Sequence, residues 1–312
     1  MMVPETSCRR VRLACLTVVA IMLALAGCGG SAAKTSSTAS SSGSSSSSAA
    51  NLTTDPKVAK EVPVKIKSKG TLTVAADATY PPNESIGPDG HTVVGMDPDL
   101  AHALAKVMGL KVNVVNATFD GILPGLQSGK YDLGMSSFGD TKAREKVVDF
   151  VTYFQAGTSF FVKAQGGPTI TTLADLCAHT VAVEKGTIQA DAATAQDKQC
   201  RAAGKPGVKV LVFPDQNGAN LALSSGRADV GMADSPPAAY QVKQSGGQFK
   251  LVGHPYGVVP YGIAMPKDNG MAKPILDALK VLMPNGTYVS ILKKRGIAFG
   301  AIHGPTINGA TS

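Results

Sequence analysis

Two hydrophobic periods alternate along most of the chain. In "DPDLAHALAKVMGL" the apolar Leu100, Leu104, Val107 and Met108 recur at helical spacing, and Gly109 closes the run. "TLTVAADATY" and "HTVAVEKGT" are runs of small and β-branched residues that break into polar ones, the pattern of short buried strands. "VVPYGIAMPKD" reads as a further strand, and the helical "MAKPILDALKVLM" follows it. Strands alternating with helices predict an α/β architecture around a mostly parallel sheet covered on both faces.

The alternation is duplicated. "LQSGKYDLGMSS" (126–137) and "LSSGRADVGMAD" (223–234) share Leu, Ser-Gly, Asp and Gly-Met at equivalent places, and Lys130 is matched by Arg227. Each copy predicts a helix end, a left-handed glycine cap at Gly129 or Gly226, and a short buried strand. The segments upstream, "TFDGILPG" and "DQNGANLA", correspond as well. The chain is therefore expected to build two α/β lobes. Ligands of open α/β sheets collect beyond the carboxyl ends of the strands. Here those ends are Asp77, the Ser136 and Ser137 pair, the turn from Glu184 to Thr187, and Asp234. Two lobes presenting them to one another would form a cleft, a common place for a small ligand.

The first 69 residues differ from this body. Arg9, Arg10 and Arg12 precede "LACLTVVAIMLALAG", an apolar run too short to span a membrane comfortably and suited to a secretory signal over residues 1–27. Its end, Leu25-Ala26-Gly27-Cys28, resembles the lipobox of bacterial lipoproteins. That resemblance implies lipidation of Cys28 and a body held at the outer face of the cell membrane. The serine-rich stretch that follows is too poor in apolar residues to fold, so residues 28–69 read as a flexible tether with a typical reach of roughly 35 Å.

Composition narrows the function. Net charge is +8, and it falls to +6 once the three arginines and Glu5 of residues 1–27 are removed. The longest basic run is Lys293-Lys294-Arg295 and no aromatics interleave with it, which argues against nucleic acid. Of five cysteines, Cys8 and Cys15 leave with the signal and Cys28 takes the lipid. Cys177 and Cys200 remain and are expected to form a disulfide in an oxidising compartment. Neither a histidine–cysteine cluster, a G-x-S-x-G motif nor a phosphate-binding loop is present, so no metal or cofactor is expected.

The chemistry then rests on the strand ends. Arg144, seven residues past the first repeat, offers a planar fork suited to a carboxylate. Ser137 and Asp234 hold equivalent places in the two repeats, so a cationic and an anionic site would face each other as the ends of a zwitterion require. Tyr80 and Phe119 would form apolar walls between them. Each residue also has a plainer reading. Arg144 fits a solvated helix position, Asp234 a helix cap, Asp77 the start of a turn, and the two aromatics a core.

"DATYPP", "VVGMDPDLAHALAKVMGLKV", "FDGILPGLQSGKYD", "KAREKVVDF", "VAVEKGT" and "SGRADVGMAD" together resemble the extracytoplasmic solute-binding proteins for polar amino acids, over roughly residues 70 to 300. The resemblance implies a two-lobed, hinged periplasmic-binding fold of type II, with five-stranded mixed sheets joined by two crossing strands. The expected boundaries are 70–162 plus 258–300 for lobe 1, 163–257 for lobe 2 and 301–312 for a C-terminal tail. It also implies that Arg144, helped by backbone N–H groups at Gly139 and Thr187, holds an α-carboxylate. Asp234, with Ser136 and Ser137 nearby, would take the ammonium and Tyr80 and Phe119 would sandwich the side chain. Asp77, Glu184, Lys185 and Gln189 would tune its polar end. Two departures stand out. Gly139 replaces a usual hydroxyl residue beside Asp140, whose charge would fall close to the ligand carboxylate, and Asn83 replaces a usual phenylalanine under Tyr80.

The function expected is a monomeric, lipid-anchored receptor that hands an amino acid to the permease subunits of an ABC importer. Two alternatives use the same fold. An enzyme of the cyclohexadienyl dehydratase type would need a general acid in the cleft, for which Glu184 is the one candidate glutamate. A sensor would pass its liganded state to a membrane signalling partner.

Overall fold

The structure is a computed structural model and describes residues 52–311. The signal over 1–27, the lipidation site Cys28 and the serine-rich stretch up to residue 51 lie outside the described residues. Among those described, no helix is long and apolar enough to cross a membrane.

The chain enters through α1 (Pro56–Glu61) and α2 (Val64–Lys69), followed by β1 (Thr71–Ala76). A small antiparallel sheet of β2 (Thr79–Tyr80), β3 (Glu84–Ile86) and β4 (Val93–Val94) precedes α3 (Met96–Val107). Then come β5 (Lys111–Asn116), α4 (Phe119–Gln127), β6 (Leu133–Gly134), the single turn α5 (Lys142–Glu145) and the long β7 (Val148–Lys163). The second half continues with β8 (Thr180–Glu184), α6 (Ile188–Ala202), β9 (Lys209–Phe213), α7 (Gln216–Ser224), β10 (Val230–Asp234) and α8 (Ser235–Gln244). Finally β11 (Phe249–Pro266) returns, and α9 (Ala272–Leu282) and α10 (Thr287–Lys294) close the helical part.

One sheet runs through both lobes in the order β5-β1-β6-β11-β7-β10-β8-β9. It amounts to two five-stranded sheets that share β7 and β11. The repeat is visible in it. β1 lies parallel between β5 and β6, as β8 lies parallel between β9 and β10. The matched aspartates act alike: Asp132 accepts from the Thr73 N–H at 2.6 Å, and Asp229 from the Thr180 N–H at 2.8 Å. Each thereby stitches the start of a strand to its neighbour. Gly129 and Gly226 take up the left-handed conformation after their helices, with φ of 75° in both.

Two expected boundaries move. The lobes do not part at 162/163 and 257/258, because β7 crosses from one to the other in mid-strand. Its first half pairs only with β11 in the main sheet, while Thr158–Val162 pair with β10 of the second lobe. The register between β7 and β11 slips between Val252 and Tyr256 and between Tyr256 and Val259, which places the irregular joint at mid-strand. The tether ends earlier than residue 69. Asp55 caps α1 by accepting the N–H groups of Lys57 and Val58, with Pro56 in the first turn. Val58, Val62 and Ile66 recur four residues apart and are buried in the first-lobe core with Leu72, Leu100 and Leu279. Residues 56–69 are thus part of lobe 1.

The second lobe has its own core of Phe160, Val181, Val183, Val230 and Met232, and the structure joins Cys177 to Cys200 beside it. The bond ties the segment before β8 to the last turn of α6, closing a loop of 23 residues in sequence separation. Loss of that constraint on the unfolded chain sets the expectation for Cys200→Ser: about 3 kcal/mol less stability. It is measured as a lowered denaturant midpoint for the folded, non-reduced protein.

Candidate functional site

Carboxyl ends from both lobes meet around one small cavity. Of the residues expected at a site, Asp77, Tyr80, Phe119, Ser136, Ser137, Gly139, Arg144, Glu184, Thr187, Gln189 and Asp234 line it. Glu84 and Ile188 line it too and were not expected.

Lobe 1 supplies a floor of buried polar groups. Asp77, just past β1, accepts the Thr79 hydroxyl at 2.6 Å and the Phe119 N–H at 2.9 Å. Its own N–H donates to Ser136 Oγ at 2.8 Å. The Ser136 and Ser137 hydroxyls donate to Glu84 at 3.2 and 3.3 Å. Behind Glu84 stands Asp97, which accepts the Tyr153 hydroxyl at 2.6 Å and the Ser137 N–H at 2.8 Å. Ser137 has a φ of 53°, a conformation costly for a residue with a side chain, and these bonds hold it there. Asn83, expected beneath Tyr80, instead donates to Ser137 Oγ at 2.9 Å. Gly95 lets this floor form: a Cβ there would overlap the Asn83 carbonyl oxygen at 2.0 Å, so the backbone carrying Asn83 and Glu84 crosses where only glycine fits.

Arg144 is held by rings and carbonyls. Its guanidinium lies 5.4 Å from the Phe119 ring and 5.5 Å from the Phe138 ring, and those rings stack with centroids 4.4 Å apart. It donates to the Gly139 carbonyl at 2.9 Å in its own lobe and to the Gly186 carbonyl at 2.9 Å in the other. The solvated-helix reading of Arg144 therefore fails.

Lobe 2 contributes Asp234, Glu184 and the start of α6. Asp234 precedes α8 but makes no side-chain cap bond to it. Its carboxylate accepts the Tyr261 hydroxyl at 2.6 Å and the Gln189 amide at 2.7 Å, and its N–H donates to the Tyr80 hydroxyl at 2.7 Å across the cleft. The cap at the start of α6 is Thr187, which accepts from the Ala190 N–H and donates to the Glu184 carbonyl.

Two expected roles are corrected. Lys185 does not face the cavity. Its neighbour Glu184 is the last inward residue of β8, so Lys185 leaves on the opposite side and pairs with Asp120 at 2.7 Å at the rim. Asp140 does not approach a ligand carboxylate either. It is buried away from the cavity, where its Oδ2 accepts the Gly309 N–H at 2.8 Å. Glu84 was missed because β3 is three residues long and shows no period that would give it an inward face.

The electrostatics are lopsided, with four carboxyl groups and a single guanidinium lining the cavity. Burial, reinforced by Asp77, Asp215 and Asp234, pushes Glu184 up to about 9. One of its carboxyl oxygens is buried without a partner. Burial also raises Asp77, and it holds Asp234 at about 6 although Tyr261, Gln189 and Arg144 all favour its charged form. Burial raises both Glu84 and Asp97; Glu84 is lifted well above the usual range, further through Asp97, while bonds from Tyr153, Glu84 and Ser137 favour the charged form of Asp97. Among the described residues no group of His, Cys, Asp and Glu is arranged to hold a metal ion.

Such strand ends, paired across a cleft between lobes that share two strands, correspond to a known family. The chain belongs to the bacterial extracellular solute-binding proteins, family 3. The family match runs over residues 72–296. Arginine-binding protein ArgT of Corynebacterium glutamicum is 33% identical over 254 residues, covering 81% of this chain and 83% of that one. An ancestral arginine-binding protein solved with arginine superposes with a TM-score of 0.66 at 38% identity, covering 72% of this chain and 98% of the other. An ancestral amino acid-binding protein described as a precursor of cyclohexadienyl dehydratase gives 0.64 at 35% identity, covering 74% and 97%.

For this solute-binding protein the raised carboxyl groups set a pH expectation. In the closed form Glu184 keeps a proton up to about pH 9. Exposed in an open cleft it would release it near the usual glutamate value, about 4.3. The closed form thus binds more protons between these limits, and closure weakens as pH rises through them. Small-angle scattering of the ligand-free protein is expected to give a larger radius of gyration at pH 9 than at pH 5. Glu184→Gln should shrink the difference.

Proposed function

We propose that this protein is the receptor of an ABC importer and closes its two lobes over an α-amino acid with a cationic side chain, arginine being the first candidate. The observation that carries this reading is the charge imbalance. Four carboxyl groups converge on a closed cavity that holds one guanidinium, and Glu184 has an oxygen there with no partner. Burial keeps Glu184 protonated while it has no partner, and a ligand cation is the partner that lets such a buried carboxyl carry its charge. The relatives support the choice, since the Corynebacterium glutamicum protein is an arginine-binding protein and the ancestral one was solved with arginine.

In this reading Arg144 and the N–H groups of Gly139 and Thr187 take the α-carboxylate. Asp234, oriented by Gln189 and Tyr261, takes the ammonium with Ser137 beside it. Tyr80 and Phe119 flank the aliphatic part, and Asp77, Glu84 and Glu184 receive the distal cation. Cys28 anchors the monomeric protein outside the cell membrane, and no cofactor takes part.

A dehydratase reading has one point in its favour: Glu184 is held neutral in the cleft, as a general acid must be. Asp234 argues against it, because a carboxylate with its ammonium-binding geometry intact serves an amino acid. The structural neighbour that links the two functions is itself an amino acid-binding protein.

Titration calorimetry with L-arginine and its neutral isostere L-citrulline tests the reading. Arginine is expected to bind on the order of 100-fold more tightly, as pairing buried carboxylates requires; equal affinities would overturn it. Arg144→Ala should abolish arginine binding while the circular dichroism and melting temperature stay near wild type. Cys28→Ala should move the protein from the membrane fraction to the soluble extracytoplasmic fraction, and no turnover of prephenate or arogenate is expected.

A further inference from the structure

The family match ends at residue 296, yet the chain beyond it is built into lobe 1. Residues 306–308 run along the first half of β7, the edge that β10 leaves uncovered. Thr152 and Thr306 exchange bonds, the Thr152 N–H donating to the Thr306 carbonyl at 2.9 Å and the Thr306 N–H to Thr152 Oγ1 at 2.8 Å. The Phe150 N–H donates to Asn308 Oδ1 at 2.8 Å and the Asn308 N–H to the Phe150 carbonyl at 3.0 Å. Within the expected tail over 301–312, an isolated antiparallel bridge joins Ile307 to Val151.

The next two residues reach the arm that carries Arg144. The Gly309 N–H donates to Asp140 Oδ2 at 2.8 Å and the Ala310 N–H to Glu145 Oε1 at 3.0 Å. Asp140 and Glu145 bracket Arg144 in sequence. The backbone of the arm between them is short and shallowly packed. α5 is a single turn of four residues with none buried, and so short a helix has no stability of its own. Thr141 caps it by accepting the Arg144 N–H at 3.3 Å, and the Asp140 N–H donates to the Pro260 carbonyl at 2.8 Å. Exposed Lys142 donates to Glu145 Oε2 at 2.9 Å and Lys267 to the Glu145 carbonyl at 2.9 Å; the backbone donors to the arm's two carboxylates come from the C-terminal segment.

We propose that residues 305–310 form a strap that sets the position of Arg144, and that Asp140 and Glu145 are positioning residues for carboxylate recognition. They act through the arm and touch no ligand. The proposal rests on the reading of Arg144 as a carboxylate clamp and adds what aims it. It also accounts for Gly139-Asp140: the aspartate is the strap's anchor, and the glycine beside it leaves room where a Cβ would stand 3.2 Å from Val259.

The test compares L-arginine with agmatine, the same cation without the carboxylate, by calorimetry on the full chain, a chain ending at Gly304, Asp140→Ala and Asp140→Asn. The full chain is expected to prefer arginine strongly. Truncation and Asp140→Ala should each cost about tenfold in arginine affinity, the scale of one or two hydrogen bonds, and leave agmatine binding unchanged. The amide oxygen introduced by Asp140→Asn can still accept the Gly309 N–H, so that variant should restore arginine affinity. Asp140→Ala placed in the truncated chain should add no further loss, since both remove the same link. Unaltered arginine affinity in Asp140→Ala, or equal losses for arginine and agmatine, overturns the strap; if the truncated chain does not fold, the Ala and Asn pair decides. A full chain that shows no preference for arginine over agmatine overturns the clamp itself, and the strap with it.

Discussion

Charge confined in a closed cleft is the constraint from which the rest of this molecule follows. Asp77 and Glu84 come from one lobe and Glu184 and Asp234 from the other, so closing the lobes brings together groups that repel. The protein lessens the conflict in three ways. Carboxylates accept hydrogen bonds from fixed donors, as Asp234 does from Tyr261 and Gln189. Glu184 and Glu84 are kept neutral by burial and by neighbouring acids. Arg144 sets one positive charge against the carboxylates that stay ionised. None of these supplies a partner for the buried oxygen of Glu184. In the proposed reading a cation from outside completes the arrangement, and selectivity for cationic solutes would follow from the same imbalance that disfavours the empty closed state.

Much of the fold was legible because it is written twice. Matched strand ends in the repeats located Ser137 and Asp234, and through them the cleft, without any tertiary information. What escaped depends on contacts distant in sequence or on elements too short to have a period. Glu84 faces inward because a three-residue strand packs over the crossing at Gly95. Asp97 reads as an ordinary acid in the first turn of a helix, and only burial against Tyr153 makes it part of the floor. Asp140 looked like a ligand-facing charge because it neighbours the arm, while its partner Gly309 lies 169 positions away. Lys185 was misjudged by a single residue of alternation at a strand end. The helices over 56–69 did leave a signal, a capping aspartate followed by proline and apolar residues four apart, which the lysine-rich composition hid.

The two lobes are joined by strands and closed by very few polar contacts. Across the cleft Asp234 bonds to Tyr80, Arg144 to Gly186, and the Gln216 N–H to the Thr79 hydroxyl at 3.2 Å, while Lys185 pairs with Asp120 at the rim. Gly186 permits that closeness, since a Cβ on it would stand 3.0 Å from Asp120 Cβ. Individual bonds of this kind contribute about 1 kcal/mol each, and an exposed ion pair less. Such a latch is weak beside the cost of crowding buried carboxylates, so the lobes are poised for a ligand to decide whether they stay shut.

Arg144 has a particular place in that balance because it belongs to both tasks. Its guanidinium bonds to the far lobe through Gly186, and it carries the positive charge proposed to meet a carboxylate. A side chain serving both must be aimed, and aiming requires that the backbone beneath it be fixed by something other than the ligand. The stacked Phe119 and Phe138 rings restrain the guanidinium laterally, and the Gly139 carbonyl restrains it along the arm. The backbone itself is a lone helical turn, and the hydrogen bonds of Asp140 and Glu145 to the returning C-terminal segment stiffen it from behind. On the proposed reading, affinity would thus be shaped partly on a face that no solute touches, by a stretch of chain that follows the last helix and lies along the open edge of β7.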